Sequence, residues 1–211
     1  VLERIVDGEG VTTPLGLRER KKQALRTALS RTALMLMLDK GLDAVTPERV
    51  AEVVGVSART FRNYFASPEE AIVEAVVHRV VTIPAALRDR PTGEPVWDTL
   101  NAVLPGAIAA ALGDRDDVVS LLGTVRQNPG LRAQQSDAFD RIQRQFIEVI
   151  ADRMGADADR DLTPRLLAAA GRAAMGAAVE VWALGHGRAG LADLVRDSLA
   201  QLRAGIPAGD A

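Results

Sequence analysis

The chain contains no cysteine and only two histidines among its 211 residues. Without cysteine there is no disulfide framework, no thiolate metal site and no cysteine nucleophile. His78 and His186 stand far apart in sequence, which argues against a histidine-based metal centre. Long apolar runs are also missing. The best candidate, Leu166 to Leu184, is interrupted by Arg172 and Glu180 and is expected to be a buried helix rather than a membrane span. At the N-terminus Glu3, Arg4, Asp7 and Glu9 break up the apolar residues, unlike a secretory signal. No stretch alternates with period two, so no strand is expected. These absences lead to the expectation of a soluble cytoplasmic protein that needs no metal, cofactor or membrane.

What is present is enough apolar material for a packed core: 47% of residues are hydrophobic and 26% charged. The length suits one large domain or two small ones. The net charge of −2 hides an uneven distribution. Residues 16–67 hold ten basic against five acidic residues, whereas residues 68–211 hold fifteen against twenty. A basic module on an acidic body fits a polyanionic partner for the module alone, although scatter in surface charge gives the same asymmetry.

Helical spacing accounts for nearly the whole chain. Residues 1–15, with Gly8, Gly10 and Pro14, show no period and are expected to form a flexible arm. Leu25, Leu29, Ala33 and Leu36 mark one face of a helix from Arg18 to Lys40, ended by Gly41. Thr46-Pro47 and Ser57 are helix starts, with Val50, Val53 and Val54 expected to face inward from the first helix and Phe61 and Phe65 from the second. Ser67-Pro68-Glu69-Glu70 opens a helix predicted to reach Thr82. Five more follow. One carries Leu100 to Leu112, with a kink expected at Pro105-Gly106. The next runs from Val118 to Gln127, and another carries Phe139 to Met154. The last two span Thr163 to Gly185 and Leu191 to Leu202. The pattern predicts an all-α protein of about nine helices.

Residues 46–65, T-P-E-R-V-A-E-V-V-G-V-S-A-R-T-F-R-N-Y-F, carry the functional signal. A short helix, a tight turn at Gly55-Val56-Ser57 and a second short helix form a helix-turn-helix layout. The second helix offers Arg59, Thr60, Arg62, Asn63 and Tyr64 away from its two phenylalanines. Arginine can bond guanine bidentately, asparagine can pair with adenine, and threonine can touch a thymine methyl. Hydroxyls of Thr46, Ser57 and Tyr64 suit phosphates, and Arg18, Lys21 and Lys22 can reach flanking backbone or a minor groove.

The stretch from Leu17 to Ala71 resembles the DNA-binding domain of the TetR family of transcriptional regulators. The likeness rests on the basic residues before a long first helix, on G-L-D-A-V-T-P-E-R-V-A-E-V-V-G-V-S-A-R-T-F-R-N-Y-F, and on S-P-E-E-A. The wording Leu17-Arg-Glu-Arg-Lys-Lys-Gln with Arg59-Thr-Phe is similar to an actinobacterial-type subgroup. The resemblance implies a homodimeric, all-helical, ligand-responsive DNA-binding protein, usually a repressor. It implies a phosphate contact at Thr46, groove contacts at Ser57, Arg59, Thr60 and Asn63, and a backbone contact at Tyr64. The sequence departs at Arg62, where tyrosine is frequent, and at Pro68, where lysine is frequent.

The domains expected on this basis are an arm (1–15), a helix-turn-helix domain (16–67) and an effector-binding and dimerisation domain (68–211). The resemblance places an effector among the middle helices and the dimer interface on the last two, the alternative being that these two only complete a monomer core. Leu100, Leu104, Ile108, Leu122, Val125, Phe139, Ile142, Phe146 and Trp182 are the candidate pocket lining, and each suits plain core as well. Few polar groups fall on those apolar positions, so a hydrophobic or amphipathic effector is expected. The subgroup adds an acyl-CoA-like ligand. The partners implied are a double-stranded palindromic operator, a second copy of the chain and that effector. The competing readings are a helical small-molecule-binding protein, or an enzyme, with a vestigial helix-turn-helix. No nucleophile elbow, phosphate loop or metal spacing supports an enzyme.

Overall fold

The computed structural model describes residues 4–6, 12–14, 16–185 and 189–205. Two three-residue strands, β1 (Arg4–Val6) and β2 (Thr12–Pro14), pair antiparallel within the segment expected to be a flexible arm, where no strand is expected. Among the described residues everything else regular is helical, as the sequence predicts, and the chain divides into two compact units between Ala75 and Val76.

The first unit opens with α1 (Leu17–Lys40), which buries Leu29, Ser30, Ala33, Leu34 and Met37. Gly41 takes φ +80°, and its N–H reaches back to the Met37 carbonyl. After a 3-10 turn at Leu42–Ala44 come α2 (Pro47–Val54), α3 (Ala58–Tyr64) and α4 (Pro68–Val80). In α2 the buried side chains are Val50 and Ala51, while Val53 is 64% exposed and not inward-facing as expected. At 100° per residue, Val54 falls between Val50 and Ala51 on the helical wheel, and Val53 lies roughly 110° from that centre. The division of the chain falls inside α4 rather than between residues 67 and 68. Within the first unit, Arg26 of α1 pairs with Glu70 and Glu74 of α4.

The second unit holds the rest of α4 and α5 (Ile83–Arg88), α6 (Val96–Leu112), α7 (Arg115–Gln127), α8 (Pro129–Met154), α9 (Leu162–Leu184) and α10 (Leu191–Ala204). All nine expected helices are present, and α5 is an addition. Ile83-Pro84 resembles a stop, yet proline near a helix start costs no hydrogen bond, and α5 begins there. Asn128-Pro129 likewise both stops and starts: the Asn128 side chain accepts the Leu131 N–H at 2.9 Å and opens α8. Pro105 lies inside α6, which is one continuous element. The core joins Leu87, Leu100, Leu104, Val149, Ile150, Val195 and Leu199, all at most 2% exposed. Burying seven such side chains contributes about 1.5–3 kcal/mol each.

Helix α9 is long and apolar enough to cross a membrane by length and composition, despite Arg172 and Glu180. Its inner face packs on α8 and α10 and buries Ala168, Gly171, Ala174 and Ala178. Those small side chains let neighbouring helices approach closely. The outer face is a different surface. Leu162, Leu166, Val181 and Leu184 are 56–68% exposed, with Ala169, Ala173, Gly176 and Ala177 exposed between them.

Candidate nucleic-acid interface

The turn between α2 and α3 is built from three local devices. Thr46 Oγ1 accepts the Arg49 N–H at 3.2 Å, which caps α2. Gly55 adopts the left-handed conformation (φ +80°, ψ +34°), and the Val56 N–H returns to the Ala51 carbonyl at 2.9 Å. A side chain at Gly55 would strain this conformation. Ser57 Oγ then accepts the Thr60 N–H at 3.1 Å and caps α3. Phe61 and Phe65, 0% and 2% exposed, anchor α3 from below with ring centroids 5.6 Å apart.

With the phenylalanines inward, α3 presents Arg59, Arg62 and Asn63 exposed, and Thr60 and Tyr64 half-buried. An α-helix with its side chains is about 10–12 Å across, the dimension that a major groove about 12 Å wide admits. Arg59 and Asn63 are one helical turn apart, both exposed, and neither side chain has a hydrogen-bond or ion-pair partner among the described residues. Thr60 differs, since its hydroxyl lies 2.8 Å from Ser57 Oγ. Arg62 differs again. Its guanidinium donates to Glu48 Oε1 at 2.5 Å and bridges α3 to α2. The Glu48 carboxyl is held below its ordinary range by its own backbone N–H and then by Arg62. At the start of α1, Arg18, Lys21 and Lys22 are exposed and share a face by their spacing, with Lys22 loosely paired to Glu19 at 3.8 Å.

Two arginines of this unit were not singled out from sequence. Arg49 is exposed in the first turn of α2, where only its contribution to the charge signals it. Arg26 is half-buried and joins residues 38 and 48 positions away, a relation that no local pattern contains.

The second unit contains an open cavity of about 480 Å³. Its lining includes Arg79, Thr82, Ile83, Leu112, Asp114 and Asp117, together with four alanines. None of the nine residues expected to form a pocket lines this cavity. Leu100, Leu104, Ile108, Ile142 and Phe146 are core, Phe139 and Trp182 pack against it, Val125 is buried and Leu122 is half-buried. No group of three metal-ligating side chains exists among the described residues. His78 is exposed, and His186 lies outside the described residues.

A capped helix-turn-helix joined to a larger helical unit defines a class, that of helix-turn-helix transcriptional regulators. Comparison with known proteins narrows it. Residues 123–207 match the family described as the MftR C-terminal domain of TetR-type regulators. The chain is 34% identical over 164 residues to the HTH-type transcriptional regulator TcmR of Streptomyces glaucescens, covering 73% of this chain and 71% of that one. Solved structures that share the fold include two FadR proteins. The TetR-family repressor FadR of Thermus thermophilus, in complex with lauroyl-CoA, superposes with a TM-score of 0.59 at 18% identity, covering 88% of this chain and 97% of that one. FadR of Bacillus subtilis, in complex with stearoyl-CoA, gives 0.61 at 16%, covering 85% and 98%. The protein belongs to the TetR family of transcriptional regulators.

Proposed function

We propose that the protein is a cytoplasmic homodimeric repressor that reads a palindromic operator and leaves it when a hydrophobic or amphipathic small molecule binds the second unit. The exposed pair Arg59 and Asn63 on a helix capped at Ser57 carries this reading. Arg59 and Asn63 supply base contacts. Thr60 adds a methyl contact, and Thr46, Ser57, Tyr64, Arg18, Lys21 and Lys22 fix the register on phosphates. Arg62 acts through its hold on Glu48 unless DNA draws it away.

The uncovered apolar face of α9 supports dimerisation through the last two helices. A second copy related by a two-fold axis would cover Leu162, Leu166, Val181 and Leu184 as a four-helix bundle. Such a dimer places recognition helices about 34–36 Å apart, one helical turn of DNA. The cavity beside Arg79 and Thr82 supports an effector site at the end of α4, which begins in the first unit. An effector there shifts α4 and disturbs that spacing, for which a coupling of about 1–3 kcal/mol suffices. The acyl-CoA complexes of the two FadR proteins make acyl-CoAs the first effectors to try.

The test is binding to sequences selected from random duplex DNA, followed by fluorescence anisotropy over a salt series against scrambled competitor. Selection of a palindrome with steep salt dependence is the expected result. Failure to select any sequence would favour the small-molecule-binding alternative.

A further inference from the structure

One side chain in the first unit holds three elements. Arg26, on the third turn of α1, donates through Nε to Glu74 Oε1 at 2.6 Å and through Nη2 to Glu74 Oε2. The same Nη2 lies 3.7 Å from Glu70 Oε1. Nη1 donates to the Tyr64 carbonyl at 2.6 Å, and the guanidinium carbon sits 4.4 Å from the centre of the Phe65 ring. Tyr64 is the last residue of α3, so its carbonyl is one of the acceptors that a helix end leaves without an intrahelical partner. The guanidinium therefore closes the C-terminal end of the recognition helix and grips α4 by a bidentate fork. A lysine has one ammonium point and cannot satisfy both at once.

Both ends of α3 are thus held by different means. Its start is capped locally by Ser57, which leaves its end as the part whose position depends on a distant residue. Arg26 and Glu74 are each about 70% buried at the side chain, so water competes less for this contact than for a surface pair. Glu74, by hydrogen bonding first and charge second, favours the charged guanidinium. Glu70 is shared: it also accepts the Ala66 N–H at 2.6 Å at the start of α4.

We propose that Arg26 is a positioning residue for DNA reading: through Glu74 it fixes the end of the recognition helix to α4, so that the two helices move as one body. This rests on α3 being the recognition helix. Arg26 touches no base in this account. Its effect passes through Tyr64, Phe65 and Glu74.

The experiment uses the full chain and the variants R26M, R26K and E74Q, each checked by thermal unfolding. Without DNA, amide hydrogen exchange of residues 61–65 is expected to accelerate about tenfold or more, the scale of losing one charge-assisted bond, while α2 amides stay unchanged. Affinity for the selected duplex is expected to fall by a similar factor, with scrambled-DNA binding and the salt slope preserved. R26K keeps the charge and should behave like R26M rather than like the native chain. Unchanged exchange at residues 61–65 would overturn the docking role. Equal losses on selected and scrambled DNA, or a salt slope lowered by about one, would make Arg26 a phosphate contact instead. A native chain that selects no sequence removes the reading role of α3. The exchange experiment still decides whether Arg26 holds α3 to α4.

Discussion

The two units of this protein place their informative residues at different distances along the chain. In the first, the caps and the turn follow from contacts spanning three to five residues: Thr46 with Arg49, Ala51 with Val56, Ser57 with Thr60. In the second, the organising contacts join distant segments. Arg153 of α8 donates to the carbonyls of Leu87, Arg90 and Pro91, more than 60 residues away, and Arg203 of α10 pairs with Asp98 of α6 at 2.7 Å. A surface built from local caps can be assembled from sequence alone. A cavity exists only where distant helices fail to meet, and no single segment encodes it.

The largest expected effect separates core from site. Leu104, 0% exposed on α6 and a candidate pocket residue by sequence, lies in the core of the second unit. Leu104→Ala should cost about 2–5 kcal/mol in denaturant unfolding and leave sequence preference on DNA unchanged. A stable variant with altered effector response instead would return Leu104 to a pocket. Next is the outer face of α9. Leu166→Glu with Leu184→Glu should turn a dimer into a monomer in analytical ultracentrifugation, at about 2 kcal/mol or more for each hot-spot side chain. Dimerisation unaffected by both would assign this face elsewhere. A smaller effect tests the local devices. Ser57→Ala should cost about 1 kcal/mol of module stability, with Ser57→Asn close to neutral.

The smallest effect is in acid. The Glu94 carboxyl is held down to about 2, first by the Arg90 guanidinium (3.0 and 2.5 Å) and then by the Thr99 hydroxyl at 2.9 Å. Its folded value lies below the ordinary 4.5, so its stabilisation is present above that value and fades as pH falls toward about 2. Glu94→Gln should flatten the pH dependence of thermal unfolding across that window. An unaltered acid limb would mean the pair is too exposed to matter.

The all-helical class, the two caps, the turn glycine and the inward phenylalanines were legible because each is a short-range rule. The misread features mark where such rules end. Val53 reads as inward-facing from its chemistry, while the wheel angle puts it outside. Helix α5 was hidden because Ile83-Pro84 ends one pattern and begins another. Arg26 reads as one more basic residue until the chain folds Glu74 against it. The nine expected pocket residues have the composition of a cavity wall, which is also the composition of a core.

The central claim is that α3 reads base sequence through Arg59 and Asn63. The direct measurement is affinity of Arg59→Ala and Asn63→Ala for the selected duplex, for its single-base variants and for scrambled DNA. Each variant should lose about 1–3 kcal/mol of specific binding and relax preference at one position per half-site, with scrambled binding nearly unchanged for Asn63→Ala. Full retention of sequence preference in both variants would contradict the account.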